Sequence, residues 1–407
     1  MSVVLQSILD TLLEEVWFEL TFLLAVSLFA AFVFTRFGQP KVIGYIVIGV
    51  IIGPSVLGIV SEGADGASGL PETIMMLSEM GAIILLFMIG LECDLKEIYT
   101  RKSISIALGG VIVPWFLGYG VAHMFGYGPD AIFIGATLVA TSVAVTASVL
   151  SELGLIGTPV AYAVVGAAVV DDILGMVVLG ISKGLAQGNL DAAGIGLLVI
   201  GAVLFVVVGA YIGSRFLAKI VFDVQISGYR RKMPMSGFIL ALAIAFLYAF
   251  VAETIQISAI VGAFVAGTAF SGSALRDGFR KGTQYLEAVF VPLFFVSLGT
   301  AVNIVNIWDS IVFGLVLTAA ALASKVIGCA IPARYSGMSK WDSVAVGVGM
   351  MPRLEIAFII AYYGLSTEII GVDVYSVVVF MGLVTALVTP PILKVALRRG
   401  GHKPFGA

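Results

Sequence analysis

The chain has 407 residues, of which 60% are hydrophobic and only 12% are charged, and its mean hydropathy is +1.11. Soluble domains carry about 25% charged residues, so this composition excludes a soluble enzyme, a nucleic-acid-binding protein and a disordered chain. The formal net charge of −3 implies no strongly charged partner. The apolar runs are continuous over about 20 residues, as in membrane helices, whereas barrel strands alternate apolar and polar residues.

Thirteen apolar segments follow one another along the chain, and they predict an all-α integral membrane protein with 13 transmembrane helices. The segments beginning at residues 235 and 255 are short and closely joined. In chain order the segments cover residues 16–35, 42–60, 74–93, 103–125, 130–150, 158–182, 192–214, 235–252, 255–271, 285–301, 309–333, 341–364 and 373–393.

The distribution of basic residues supports this count. If successive segments alternate in direction, 19 of the 22 Lys and Arg residues fall in the loops and C-terminal tail of one side, and only Lys183 falls on the other. The remaining two, Lys325 and Arg353, lie inside apolar segments. By the positive-inside rule the C-terminus is cytoplasmic, and 13 crossings then place the N-terminus outside.

An internal repeat is visible in the sequence. Residues 43–53 resemble residues 258–267, and residues 85–94 resemble residues 293–303. Aligning Gly90 with Gly299 gives a separation of 209 residues, or seven segments. Because seven is odd, the sequence predicts two inverted repeats, segments 1–6 and 8–13, joined by segment 7. Inverted repeats are typical of secondary transporters, whose substrate site lies near the midplane beside interrupted helices.

Two corresponding segments contain signals for such an interruption. Segment 5 carries Thr141 and Ser142 in a run rich in hydroxyl groups and β-branched residues, and segment 12 carries Pro352. The repeat places Thr141 opposite position 350, beside this proline. Taken singly, hydroxyl side chains often bond to their own helix and proline often only kinks one. Their matched placement favours a pair of crossed, discontinuous helices.

Asp171 and Asp172 are adjacent near the middle of segment 6. Placing one charge at such a depth costs at least about 2.5–3.5 kcal/mol. Neighbouring helix positions diverge by about 100°, so one carboxylate is expected to face an ion path and the other a partner. Lys325 in segment 11 is the candidate partner. A static ion pair is an alternative reading of Lys325, but one lysine neutralises only one of the two carboxylates.

Arg353 and Glu355 lie beside the proposed interruption of segment 12. They are expected either to pair with each other or to contact loose helix ends across the bundle, and a structural role is favoured for both.

These motifs resemble those of the monovalent cation:proton antiporter superfamily, in its second branch of prokaryotic Na⁺/H⁺ and K⁺/H⁺ exchangers. The resemblance covers nearly the whole chain. It rests on Thr-Ser-Val-Ala-Val at 141–145, Val-Asp-Asp-Ile-Leu at 170–174, Pro-Leu-Phe-Phe-Val-Ser-Leu-Gly at 292–299, Ala-Ser-Lys-Val-Ile at 323–327 and Pro-Arg-Leu-Glu at 352–355.

The resemblance implies a division into two parts and a homodimer. Segments 1–3 (residues 1–101) and 8–10 (residues 233–306) would form a dimerisation domain. Segments 4–6 (residues 102–190) and 11–13 (residues 307–407, with a short tail) would form a moving ion-transport core. Residues 191–232 would be a linker helix and a basic cytoplasmic loop.

The resemblance also implies roles for single residues. Asp172 would match the principal ion-binding carboxylate, Asp171 the carboxylate that pairs with Lys325, and Thr141 and Ser142 the interrupted helix near the ion. The adjacent aspartates are similar to those of the electrogenic group. Electroneutral relatives commonly have Asn, and potassium-efflux relatives Gln, at the first aspartate position, and this sequence has neither.

The expected function is Na⁺/H⁺ exchange, with Li⁺ as a further substrate, across a prokaryotic plasma membrane and without a cofactor. Na⁺ and H⁺ would compete for Asp172 and Asp171, and Thr141 and Ser142 would complete the Na⁺ site. A K⁺/H⁺ antiporter is the nearest alternative. A sodium-coupled symporter for an organic solute and a channel are weaker ones. An enzyme is least favoured, because no nucleophile and base are recognisably arranged.

Overall fold

The computed structural model describes residues 16–54, 56–60, 70–93, 100–128, 130–186, 192–300, 310–366 and 369–402. Every regular element in these ranges is helical, and they contain no β-strand, which confirms the predicted all-α class.

The first half of the chain forms seven α-helices within the described residues. They are α1 (Val16–Arg36), α2 (Lys41–Ile52), α3 (Glu72–Glu92), α4 (Arg101–Met124), α5 (Ala131–Thr137), α6 (Val143–Glu152) and α7 (Pro159–Ala186).

The second half begins with a long run in which α8 passes through a π-helical turn into α9. The elements are α8 (Ala192–Ile212), the π turn (Gly213–Leu217), α9 (Ala218–Arg230), α10 (Ser236–Thr254), α11 (Ala259–Phe270), α12 (Arg276–Thr300), α13 (Ile311–Tyr335), α14 (Lys340–Gly349), α15 (Glu355–Ser366) and α16 (Val372–Arg399).

Each of the thirteen predicted segments coincides with one helix or, for segments 5 and 12, with two consecutive short helices. Within the described residues, nine helices are long and apolar enough to cross a membrane. Helices α2 and α11 have only 12 residues each. The number of thirteen crossings and the sides of the two termini therefore stay predictions.

Some boundaries differ from the predicted ones. Residues 218–230 were expected in a basic loop but form α9, which buries Val221, Gln225 and Gly228 on one face. This three- and four-residue spacing lets α9 pack on α10. Helix α2 ends well before residue 60, because Gly53 adopts an extended conformation and Pro54 follows it.

The inverted repeat is visible in the helix lengths. Helices α2 and α11 have equal lengths, as do α7 and α16 with 28 residues each, while α4 and α13 have 24 and 25. The short pair α5–α6 corresponds in order to the short pair α14–α15.

Close glycine contacts repeat with the same symmetry. Gly49 of α2 packs on Gly299 of α12, and Gly267 of α11 packs on Gly90 of α3. A Cβ atom at Gly90 would collide with the carbonyl oxygen of Phe264, and one at Gly49 would collide with a carbonyl oxygen of α12, so neither crossing has room for a larger residue. Small residues allow membrane helices to approach this closely.

The helices form two groups by their contacts. Helices α1–α3 pack with α10–α12, and helices α4–α7 pack with α13–α16. Helix α8 lies between the groups, in contact with α7 and α11. The two short helix pairs lie in the second group.

Candidate functional site

Two helix interruptions cross inside the second group. The chain leaves helical geometry between α5 and α6, at residues 138–142, and between α14 and α15, at residues 350–354. Pro352 explains the second interruption, because it has no N–H to donate within a helix. The interruptions are joined directly, since the backbone N–H of Ser142 donates to the carbonyl of Pro352 at 2.7 Å.

Hydroxyl groups satisfy further carbonyls at this crossing. The Thr141 hydroxyl donates to the carbonyl of Met350 at 3.3 Å, and the Thr146 hydroxyl donates to the carbonyl of Gly349. Thr141 and Met350 are the two positions that the 209-residue repeat aligns. Their contact places the pseudo-two-fold axis of the repeat at the crossing. Thr146 was not singled out from the sequence, although it lies in the same hydroxyl-rich run.

Arg353 connects the two interruptions. Its side chain is completely buried, and its Nε donates to the carbonyl of Leu138, at the end of α5, at 2.8 Å. Its Nη1 donates to the carbonyl of Met351 at 2.9 Å, and its backbone N–H donates to the Thr385 hydroxyl at 3.1 Å. A cation at a helix C-terminus is favourable, so Arg353 stabilises the broken end of α5. Contact with a loose helix end is one of the two arrangements expected for it.

Glu355 is the first residue of α15. Its side chain lies outside the described part of the structure, so the expected contact of Glu355 with Arg353 or with a loose helix end stays a prediction.

Asp171 and Lys325 form an ion pair deep in the protein. Lys325 Nζ of α13 lies 2.8 Å from Asp171 Oδ1 of α7, and both side chains have 0% of their surface exposed. Thr141 lies beside the Asp171 carboxyl, and Arg353 is close enough to interact with it electrostatically. The other carboxylate oxygen, Oδ2, is buried and forms no hydrogen bond with the described residues.

Asp172 occupies the next position of α7 and has 5% of its surface exposed. Adjacent helix positions point about 100° apart, so Asp172 faces a different direction from the ion pair. The structure thus brings Asp171, Lys325, Thr141 and Arg353 together, with Asp172 one residue away.

Gly110 of α4 covers the ion pair and was not singled out from the sequence. A Cβ atom there would lie 2.7 Å from Cys329 Sγ, 3.3 Å from Lys325 Nζ and 3.7 Å from Asp171 Oδ1. The sequence feature that marks this position is the glycine pair 109–110. A Cβ atom at Gly109 would collide with the backbone of Gly328 on α13. These glycines let α4 and α13 approach each other over Lys325.

The arrangement suits a small hard cation. Carboxylate, hydroxyl and carbonyl oxygens are the ligands that such ions prefer, and the crossing presents all three kinds beside two acidic residues.

Residues 23–399 match the family model described as "Sodium/hydrogen exchanger, transmembrane". The Na⁺/H⁺-K⁺ antiporter GerN of Bacillus cereus is 34% identical over 386 residues, which cover 93% of this chain and 96% of the relative. The Na⁺/H⁺ antiporter of Enterococcus hirae is 33% identical over 384 residues, which cover 92% and 96%.

Solved structures agree in fold. The sodium proton antiporter MjNhaP1 from Methanocaldococcus jannaschii superposes with a TM-score of 0.66 at 16% identity, and the match covers 96% of this chain and 98% of that one. The chain is therefore a multi-pass protein of the cell membrane, and it belongs to the transmembrane sodium/hydrogen exchanger family of transporters.

Proposed function

We propose that this protein exchanges Na⁺ for H⁺ across the membrane, with both ions competing for Asp172 and Asp171. The observation that carries the proposal is a pair of adjacent buried carboxylates, one of them paired with Lys325, beside two crossed helix interruptions. The names of the bacterial relatives support Na⁺ and H⁺ as the ions.

Competition follows from charge and solvation. Na⁺ must replace its hydration shell with oxygen ligands, and Asp172 would supply the main charge. Thr141, Ser142 and Asp171 would supply further oxygens. When Na⁺ binds, Asp171 would leave Lys325, and Lys325 would release a proton because its counter-ion is gone. Asp171 and Lys325 are coupled, so the second proton belongs to the pair.

Two protons per Na⁺ would make the exchange electrogenic. Protonation of Asp172 and of the Asp171–Lys325 pair gives two proton-binding events against one bound cation of charge +1. A neutral residue at position 171 would remove one of them. The presence of Asp171 and its contact with Lys325 at 2.8 Å support this stoichiometry.

Alternating access would come from movement of one helix group against the other. Helices α4–α7 and α13–α16 would form the moving core, and helices α1–α3 and α10–α12 the dimerisation domain of a homodimer. An empty, charged site would resist crossing an apolar barrier, whereas a Na⁺-loaded or protonated site would cross. That difference would couple the transport of Na⁺ to the transport of H⁺.

The test is exchange in proteoliposomes under clamped voltage, with Asp172→Asn compared to the wild type. We expect Asp172→Asn to abolish Na⁺-driven proton movement, because the principal Na⁺ ligand loses its charge. Asp277→Asn is the matched control, since Asp277 is an exposed residue of the first turn of α12. Exchange at the normal rate in Asp172→Asn would reject the assignment.

Potassium is a second candidate substrate, because the relative from Bacillus cereus is named a Na⁺/H⁺-K⁺ antiporter. The same vesicles, driven by equal gradients of Na⁺, Li⁺ or K⁺, separate the two functions. Proton movement with Na⁺ and Li⁺ supports the main proposal, and proton movement with K⁺ alone identifies a K⁺/H⁺ exchanger.

A further inference from the structure

A cavity of about 760 Å³ with polar and apolar walls lies where the C-terminal end of α3 meets the junction of α8 and α9 and the loop before α12. Neither Asp171 nor Asp172 lines it. Its wall includes Lys219, Arg276, Tyr162 and the serines 214, 271 and 273. Two basic groups and several hydroxyls therefore converge in a space large enough for a charged group of several atoms.

The charge of this cavity is positive. Glu92 is the one carboxylate among the described lining residues, and it is already paired with Arg280, whose Nε lies 3.0 Å from Glu92 Oε1. No salt bridge joins Lys219 or Arg276 to a carboxylate in the described ranges. Among the described residues these two cations have no carboxylate partner, which disfavours a route for Na⁺ and favours an anion.

Arg276 has unused hydrogen-bonding capacity. Its Nη2 donates to the carbonyl of Glu92 over a long 3.5 Å, and its buried Nε has no partner among the described residues. Because Arg276 lines the cavity, its guanidinium can donate further hydrogen bonds to an acceptor there. Ser273 accepts from the N–H of Leu275 at 3.2 Å, so its hydroxyl hydrogen is available to the same ligand.

The cavity lies beside a surface that suits lipid chains. Residues Ala193–Arg230 form one continuous helical run of 38 residues, about 57 Å long at 1.5 Å per residue, against a hydrocarbon core of about 30 Å. The run therefore extends past the membrane surface near α9. Phe222 lines the cavity and has 40% of its surface exposed.

We propose that this cavity binds the phosphate group of an anionic phospholipid, held by Arg276, Lys219 and Ser273, with the acyl chains along Phe222. Arginine recognises phosphate through paired, charge-assisted hydrogen bonds, and basic pockets between membrane helices bind anionic headgroups. The cavity joins α3 and α11 of one helix group to Tyr162 of α7 in the other. A bound lipid would thus contact both groups.

The test is lipid binding to the purified full chain, measured by native mass spectrometry with phosphatidylglycerol and with zwitterionic phosphatidylcholine. The variant Lys219→Gln/Arg276→Gln should bind phosphatidylglycerol at least about ten-fold more weakly than the wild type, because the charge-assisted contacts are lost. The matched control is Arg230→Gln/Lys281→Gln, two exposed basic residues outside the cavity. Equal retention of phosphatidylglycerol in the cavity variant and the wild type would overturn the proposal.

A single-residue variant and a competition experiment complete the test. Lys219 is exposed on α9, so Lys219→Gln alone should fold normally and show an intermediate loss. Wild-type binding by this variant would contradict the role of Lys219. Inorganic phosphate at the lipid concentration should not displace the lipid, and displacement would assign the site to soluble phosphate instead. None of these measurements uses ion exchange, so they are independent of the proposed function.

Discussion

Lys325 and Asp171 face each other with no exposed surface, so each depends on the other for charge balance. Removing one partner of a buried ion pair typically costs about 3–5 kcal/mol. We expect Lys325→Gln to lower the thermal unfolding temperature in detergent and to weaken the voltage dependence of exchange. Adding Asp171→Asn removes the unpaired acid and should restore much of the stability.

Comparing Lys325→Gln with the double variant distinguishes the effect of the charge of Lys325 from the effect of its volume. If Lys325→Gln and the double variant unfold at the same temperature, the lysine acts by its volume and not by its charge. If exchange by Lys325→Gln keeps the wild-type voltage dependence, Lys325 takes no part in the transport cycle.

Gly110 packs against that ion pair, and its lack of a side chain leaves room for Cys329 and Lys325. A methyl group there would press on Cys329 Sγ at 2.7 Å and approach Lys325 Nζ at 3.3 Å. Overpacking a well-packed interior costs about 1–3 kcal/mol. We therefore expect Gly110→Ala to slow exchange and lower the unfolding temperature. Gly120→Ala is the matched control, because Gly120 lies on the same helix and a methyl group at that position would have nothing within 4 Å.

A second change identifies the contact responsible. Cys329→Ala removes the sulfur that the new methyl group would meet, so Gly110→Ala/Cys329→Ala should recover most of the lost exchange. Failure to recover would place the damage at Lys325 or at the helix backbone.

Rare charges made part of this site predictable from the sequence. Lysine or aspartate in an apolar segment has few possible partners, which made Lys325 the candidate partner of one aspartate. That this aspartate is Asp171, as in the structure, was implied by the family resemblance. The partners of Arg353 were not predictable individually, because backbone carbonyls such as that of Leu138 carry no sequence signal. The first interruption is equally hard to place, since residues 138–142 contain no proline and their hydroxyl groups also occur within helices.

At the scale of elements, α6 of one helix group contacts α2 of the other through the side chain of Glu152. The carboxylate of Glu152, the last residue of α6, accepts a bifurcated hydrogen bond from the backbone N–H of Lys41, with its two oxygens at 3.1 and 3.0 Å. Lys41 is the first residue of α2, and Pro40 before it offers no capping side chain. Glu152 therefore caps α2 from the other group, and this contact must break if the groups slide.

We expect Glu152→Ala to expose the first turn of α2. Loss of a helix cap costs about 0.5–2 kcal/mol, so amide hydrogen exchange in residues 41–44 should become several-fold faster. Glu72→Ala is the control, because Glu72 occupies the first turn of α3 and is exposed. Unchanged hydrogen exchange in α2 would show that the cap contributes nothing to the helix.

At the scale of the whole molecule, the order of the helices and the repeat symmetry could be predicted from the apolar segments and their glycines. The exact helix ends could not. Helix α12 begins at Arg276, nine residues before the predicted segment at 285. Its first turns carry charged residues that no hydropathy pattern assigns to a membrane helix. Packing on other helices extends α12 beyond its apolar part, and such contacts are set by tertiary structure.

The repeat symmetry itself gives a last prediction. Gly90 and Gly299 occupy equivalent positions, and a Cβ atom at either would collide with a carbonyl oxygen of the facing helix, that of Phe264 or of Ile46. Because backbone atoms cannot rotate away, the helices must separate to accept a methyl group. Gly90→Ala and Gly299→Ala should therefore lower the unfolding temperature by similar amounts, each corresponding to about 1–3 kcal/mol. Gly120→Ala again serves as the control and should be neutral or slightly stabilising, since alanine favours a helix over glycine. A large loss at one crossing and none at the other would show that the two halves of the molecule differ in stability despite their matching geometry.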